Sequence, residues 1–172
     1  NYNGKIRYSS SNYLTKTGQE VIVVVPANGK IVVLDPGHGG SDSGAVGIGK
    51  AGYEETINLD HSLKTKKYLE KLGYKVYMTR STDKSSIDTH NLGTGIEKSL
   101  DLDCRVKYAT SVKADILVSV HSNATIPGIR GTETYYNETT YNNQRNPFPT
   151  QSKKLAQEIH AKYQPAFASN DR

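Results

Sequence analysis

Short apolar runs alternate with longer segments of helical pattern along this sequence, and this alternation limits the folds that the chain can adopt. Between the first two runs, Leu59 and Leu63 lie one helical turn apart, as in a helix with one buried face. The predicted strands are Ile31–Leu34, Lys75–Thr79 and Ile116–Val120, and the predicted helices between them are Glu54–Leu72 and Leu100–Val112. This order predicts an α/β fold, a three-layer αβα arrangement with a mostly parallel central sheet.

The two ends of the chain carry further predicted elements. A strand over Thr132–Tyr136 and a helix over Ser152–Tyr163 are expected after the last buried strand. Residues 1–28 lack a sustained period, although Val21–Val25 favours a strand, and we expect them to form an arm. The length of 172 residues is typical of one domain, which we place at residues 29–172.

Composition narrows the function classes. The chain has 22 Lys and Arg against 17 Asp and Glu, so its net charge of +5 favours anionic surroundings. The lysines are scattered and no nucleic-acid motif accompanies them, so we expect no nucleic-acid partner. No apolar run approaches the ~18 residues that a membrane span needs. Cys104 is the single cysteine, which excludes thiolate zinc cages, so a metal site must use His, Asp and Glu.

Two histidines lie at the carboxyl ends of predicted strands, where open α/β sheets bind their ligands. His38 follows the first strand in a glycine-rich loop, and His121 directly follows Val120. Glu54 opens the first helix, whose N-terminus would lie at the same edge of the sheet. Two imidazoles and a carboxylate with an open fourth position are typical of a catalytic zinc site, so we expect one zinc ion per chain.

These residues also have ordinary structural interpretations. His38 could shape a turn, His121 could be a satisfied core histidine, and Glu54 could be a favourable charge at a helix N-terminus. The remaining histidines, which are expected to be solvated or partly buried, are His61, His90 and His160. Of these, His90 lies in a segment that could border the substrate groove.

Three stretches carry a resemblance to a known family. They are IVVLDPGHGGSDSGAVG, YEETINLDHSLKTKKYLEKLGYKVYMTR and ADILVSVHSNATIPGIRGTETYY. In order, spacing and flanking residues they resemble the leading motifs of the zinc-dependent N-acetylmuramoyl-L-alanine amidases, the amidase-3 family, from about Lys30 onward. Family members cleave the amide between N-acetylmuramic acid and the L-alanine of the peptidoglycan stem peptide by zinc-activated water.

The resemblance implies roles for particular residues. The family's zinc ligands fall on His38, Glu54 and His121, with Glu54 preferred to Glu55 because it stands four residues before Asn58. Ser122 and Asn123 match the family's step beside the metal and are expected to contact substrate. The implied partner is peptidoglycan, and the implied location is secreted or in the cell wall, in a bacterial or phage setting.

The family's catalytic glutamate lies in a C-terminal segment that has no match before Arg172. We therefore expect residues 29–172 to be a C-terminally incomplete catalytic domain, with the base beyond Arg172 and little turnover without it. Glu133 is the nearest other candidate for the base. Arg80, Arg105 and Arg130 either meet substrate carboxylates or are surface charges.

Two other functions fit the same sequence. One is a zinc-containing module that binds peptidoglycan without turnover, and the other is a zinc peptidase that cuts within the stem peptide. NGKIRYSSSNYLTK also resembles the closing strands of a bacterial SH3-type wall-binding repeat. On that resemblance, residues 1–28 are alternatively the end of a preceding wall-binding module.

Overall fold

The computed structural model describes residues 29–90, 98–122, 131–138, 140–141 and 144–166, so the expectations for residues 1–28 lie outside the described part. The chain divides into two units, Asn1–Asn123 and Ala124–Arg172. The first contains β1 (Ile31–Pro36), α1 (Glu54–Lys71), β2 (Lys75–Met78), α2 (Ser86–His90), α3 (Lys98–Ser111) and β3 (Ile116–Val120). The second contains β4 (Thr140–Tyr141), β5 (Gln144–Arg145) and α4 (Pro149–Ala166).

The first unit is built on a parallel sheet with strand order β2-β1-β3. Leu34 of β1 lies opposite Met78 of β2 and opposite Val118 of β3. Because all three strands run the same way, each returns through a helical connection and all three end at one edge. The α/β class and the parallel sheet are therefore confirmed.

Alternation along the strands separates the two faces of this sheet. Val32, Leu34, Val76 and Met78 form a buried cluster that packs against leucines of α1. Fully burying a side chain such as Leu34 contributes about 1.5–3 kcal/mol. On the other face Asp35 of β1 pairs with Arg105 of α3, so the sheet lies between two helices. This is the predicted three-layer arrangement.

Two of the predicted elements differ in the structure. The segment between Thr79 and Leu100, which has no predicted strand or helix, contains α2, and the backbone N–H of Ser86 at its start donates to Asp101 Oδ1 at 2.9 Å. Thr132–Tyr136 was predicted as a strand and is not one, since only Thr132 makes an isolated bridge. A β-branched and aromatic run becomes a strand only where a neighbouring strand takes up its backbone hydrogen bonds.

The second unit, described by itself, pairs β4 with β5 in antiparallel fashion. Its helix α4 confirms the predicted C-terminal helix and extends it at both ends. Among the described residues of the whole chain, no helix combines the length and apolar character that a membrane crossing requires.

Candidate metal centre

Three side chains from separate parts of the first unit meet beyond the carboxyl edge of the sheet. His38 lies in the loop after β1, His121 directly follows β3, and Glu54 is the first residue of α1. Their candidate ligand atoms lie within 4.8 Å of one another. His38 Nε2 is 3.3 Å from Glu54 Oε2, and His121 Nδ1 is 3.1 Å from Glu54 Oε1. The structure thus brings together the three residues that the sequence singled out.

The donor set and its spacing fit a zinc ion. Zinc takes imidazole nitrogens and carboxylate oxygens at about 2.0–2.1 Å, which places tetrahedral ligand atoms about 3.3 Å apart. The distances from His38 to Glu54 Oε2, 3.3 Å, and from His121 to Glu54 Oε1, 3.1 Å, are close to that spacing, and all of the candidate ligand atoms lie within 4.8 Å of one another. The side chain of His121 is 40% exposed, whereas that of Glu54 is 5% exposed, so the cluster is reachable from solvent on its histidine side.

The loop after β1 needs unusual backbone geometry to place His38. His38 itself has a φ of 64°, in the left-handed region that costs a non-glycine residue energy. Close packing adds a second requirement, because a Cβ at Gly37 would lie 2.2 Å from Cε1 of His121. A Cβ at Gly44 would lie 2.6 Å from Cδ2 of His38. The glycines therefore let both imidazoles lie directly against the backbone.

Glu54 is held as a carboxylate. Burial by itself would raise its pKa, but the backbone N–H groups of Ala45 and Ser122 donate to its two oxygens, each at 3.0 Å. These donors, with His38 and His121 nearby, outweigh burial and hold the pKa of Glu54 below its ordinary value. The charged form that binds metal is thus favoured at neutral pH.

Asn58 and Asp42 make hydrogen-bond contacts around the cluster that were not predicted from the sequence. Asn58 is fully buried, donates from Nδ2 to the carbonyl of Gly37 at 3.4 Å, and accepts at Oδ1 from the hydroxyl of Ser122 at 3.0 Å. Asp42 Oδ2 lies 3.0 Å from His38 Nδ1. The hint in the sequence was that Asn58 follows Glu54 by one helical turn.

Ser122 and Asn123 were expected to contact substrate. The described contacts of Ser122 are within the cluster, through its N–H to Glu54 and its hydroxyl to Asn58. Asn123 lies outside the described residues, as does Arg130.

Two arginines that could have met substrate instead hold the loop after β1. Arg80 is fully buried and donates to the carbonyls of Pro36 and Gly37, each at 2.9 Å. Arg105 is 5% exposed and donates to the carbonyl of His38 at 3.0 Å and to Asp35 at 2.6 Å. Burial, and then the charge of Arg105, lower the pKa of Arg80. Asp35 and Asp101 outweigh burial at Arg105 and raise its pKa.

Glu55 is not part of the cluster of His38, Glu54 and His121. It is 4% exposed, and burial followed by a hydrogen bond with Asp83 raises its pKa. Asp83 in turn pairs with Lys50 at 2.8 Å and accepts from the backbone N–H of Gly40 at 3.3 Å. Glu55 therefore belongs to a contact between loops.

The remaining candidates lie away from the cluster or in the second unit. His90 stacks on Tyr108 at 3.7 Å and its Nε2 lies 2.7 Å from the carbonyl of Thr79, as expected for a partly buried polar side chain. His160 Nδ1 lies 3.1 Å from Thr134 Oγ1 in the second unit. Glu133 is also in the second unit, where it accepts from the hydroxyl of Tyr135 at 2.9 Å. Its role as a base stays a prediction.

Fold and cluster together define an α/β protein with a His-Glu-His site at the carboxyl edge of a parallel sheet. A family profile described as N-acetylmuramoyl-L-alanine amidase, Amidase_3, matches residues 32–172. The chain belongs to this family, as its motifs indicated.

Individual relatives agree with the family. The germination-specific N-acetylmuramoyl-L-alanine amidase of Bacillus subtilis (strain 168) is 39% identical over 114 residues, which cover 65% of this chain and 47% of that protein. The N-acetylmuramoyl-L-alanine amidase LytC of the same organism is 33% identical over 148 residues, 86% of this chain and 25% of that protein. The chain thus spans about half the length of the first relative and a quarter of the second.

Solved structures share the fold. The catalytic domain of CwlV, an N-acetylmuramoyl-L-alanine amidase from Bacillus (Paenibacillus) polymyxa var. colistinus, is 37% identical, with a TM-score of 0.61. The match covers 83% of this chain and 67% of that catalytic-domain chain. The CwlD amidase from Clostridioides difficile, solved in complex with the GerS lipoprotein, is 29% identical with a TM-score of 0.58, covering 77% of this chain and 64% of CwlD.

Proposed function

We propose that this chain carries a zinc-dependent N-acetylmuramoyl-L-alanine amidase domain that hydrolyses the muramoyl–L-alanine amide of peptidoglycan. The observation that supports this most directly is the cluster of His38, Glu54 and His121, with ligand atoms within 4.8 Å in a chain of the amidase family. The domain is residues 29–172, and its place of action is the bacterial cell wall, reached by secretion.

The chain's own residues would prepare the site in distinct ways. His38, Glu54 and His121 would hold one zinc ion, which when bound supplies Lewis-acid polarisation of the amide carbonyl and of the attacking water. The N–H groups of Ala45 and Ser122 keep Glu54 ionised. Arg80 and Arg105 fix the carbonyls of the loop that carries His38. The side chain of His121 is 40% exposed, so substrate would approach the cluster from the side of His121.

A general base completes the reaction by taking the proton from water and passing it to the leaving amine. Such a group typically contributes 10²–10⁴-fold in rate. The family resemblance assigns it to a glutamate of the family's C-terminal segment, for which these 172 residues contain no match, and Glu133 is the alternative among them. Assay of protein extended by that segment, beside Glu133→Gln, separates the two assignments.

Metal content tests the zinc site first. Elemental analysis of protein purified without added metal should give about one zinc per chain, lost in His38→Ala and in His121→Ala. His61→Ala is the matched control, because His61 lies on α1 outside the cluster and should leave zinc in place. Wild-type protein that stays free of zinc after dialysis against it would refute the assignment.

Product analysis tests the reaction. Digestion of purified peptidoglycan should release amino groups of L-alanine. Release of other stem-residue amino groups would show a zinc peptidase, and wall binding with zinc but without products, in protein that includes the C-terminal segment, would show a binding module.

A further inference from the structure

We propose that Asp42 is a positioning residue that fixes the proton of His38 on Nδ1 and so leaves the Nε2 lone pair facing the metal centre. This inference rests on the zinc site of the proposed function and adds to it a residue that the motif comparison does not assign. The contact that carries it is the 3.0 Å distance between His38 Nδ1 and Asp42 Oδ2.

The imidazole of His38 lies between two carboxylates. Asp42 Oδ2 is 3.0 Å from Nδ1, and on the opposite side Glu54 Oε2 is 3.3 Å from Nε2. An ionised carboxylate only accepts hydrogen bonds, and a neutral imidazole has one N–H to donate. The two carboxylates therefore compete for a single proton, and the winner decides which nitrogen is left as an acceptor.

The competition matters because only one outcome permits metal binding. A proton on Nε2, donated to Glu54, would block the nitrogen that faces the cluster. A proton on Nδ1, donated to Asp42, leaves Nε2 free as a ligand, the arrangement in which a carboxylate orients a metal-bound histidine. Glu54 already accepts backbone N–H groups at both of its oxygens, and its distance to the ring is the longer one. Both differences favour Asp42.

The surrounding loop holds Asp42 and the ring in this relation. Oδ1 of Asp42 accepts from the N–H of Gly44 at 3.2 Å, so one oxygen anchors the turn while the other faces His38. The backbones of Gly39 and Asp42 exchange hydrogen bonds of 2.8 and 3.3 Å. The ring of His38 packs on Gly44, where a Cβ would lie 2.6 Å from Cδ2. Neither partner can rotate away without disturbing the turn.

The substitution Asp42→Asn separates positioning from structure. Asn keeps an oxygen that can accept from the N–H of Gly44, but its amide would face Nδ1 with a donor. We expect the proton of His38 to move to Nε2 and bond Glu54 in the metal-free protein. We also expect zinc affinity to fall about 10–100-fold, the effect typical of groups that orient a metal ligand.

The experiment combines two readouts on the full chain. Nitrogen NMR of labelled imidazoles in metal-free protein at mildly alkaline pH reports the tautomer of His38, and chelator competition reports the dissociation constant for zinc. Asp60→Asn is the control, because it removes one exposed carboxylate on α1 that pairs with Lys64 and is not part of the cluster. It should change neither readout.

Two results would overturn the inference: a proton on Nε2 in the wild type, or an unchanged tautomer and zinc affinity in folded Asp42→Asn. The tautomer measurement needs no zinc, so it tests Asp42 separately. Failure of the wild type to bind zinc would instead refute the proposed function, whatever the tautomer.

Discussion

Replacing Gly37 with alanine should displace the ring of His121 and weaken zinc binding while the protein stays folded. An ideal Cβ at Gly37 would lie 2.2 Å from Cε1, 2.4 Å from Nε2 and 2.6 Å from Nδ1 of His121. Gly37 has no left-handed φ, so alanine meets no backbone strain there. The effect would come from this one contact.

The size of the displacement follows from the contact distance. Ordinary van der Waals contact begins at 3.4 Å, which leaves a shortfall of about 1.2 Å from the 2.2 Å of the ideal Cβ. Zinc ligands keep their distances within about 0.2 Å, so the required movement is about six times that tolerance. Overpacking a well-packed site costs about 1–3 kcal/mol. If that cost arises only in the zinc-bound state, where the ring of His121 must return to its place, zinc affinity falls about 5–150-fold.

Chelator competition for zinc is the assay, with circular dichroism to show that the variant is folded. Gly52→Ala is the matched control, because its Cβ would come no closer than 3.3 Å to any neighbour and its φ is also not left-handed. Folded Gly37→Ala protein that binds zinc as tightly as the wild type would refute the idea that His121 needs a bare backbone beneath it.

Three further measurements test the surroundings of the site. Glu55→Gln should make the protein more stable at pH 7. The pKa of Glu55 is raised in the folded protein, so the free energy of unfolding of the wild type falls as the pH rises from the ordinary pKa of about 4.3 through the folded-state pKa. Denaturant unfolding from pH 4 to 8 should show the stability difference between variant and wild type growing with pH. Arg80→Met should cost more than about 3 kcal/mol in the free energy of unfolding, because the carbonyls of Pro36, Gly37 and Glu55 lose buried donors; Arg80→Lys should recover only part of it. Zinc at 100 times its dissociation constant should add about 2.7 kcal/mol and raise the Tm by about 5–10 °C, an effect absent from His121→Ala.

Each of these has an outcome that contradicts it. A Glu55→Gln difference that is constant with pH would mean that the carboxyl does not titrate between folded and unfolded states. Full recovery by Arg80→Lys would show that charge, and not the forked donor geometry, holds the carbonyls. An equal Tm rise in His121→Ala would place zinc elsewhere on the chain.

Much of the first unit could be predicted because its local signals agree with its tertiary contacts. Val33 and Leu34 lie in a run that suits a buried strand, and Ile116–Val120 suits the same role, so the parallel sheet followed. Once strands are parallel, residues just after their ends meet at one edge. That rule was enough to place His38, Glu54 and His121 together.

The failures have a common physical cause. Thr132–Tyr136 has strand-like residues, but strand formation depends on a partner that the local sequence does not specify. Arg80 and Arg105 were expected at the surface or the substrate, because a charged side chain is rarely buried without partners. Their partners are backbone carbonyls of Pro36, Gly37 and His38, which carry no signature in the sequence.

The sequence by itself determined the class of fold, the family and the identity of the three clustered side chains, because periodicity and residue type encode them directly. Only the tertiary structure decided which nitrogen of His38 faces Glu54 and which group stands behind it. It also decided that Glu54 stays ionised while the adjacent Glu55 has a raised pKa. These properties depend on contacts of a few ångströms between segments far apart in the chain, and distances of that kind exist only once the chain has folded.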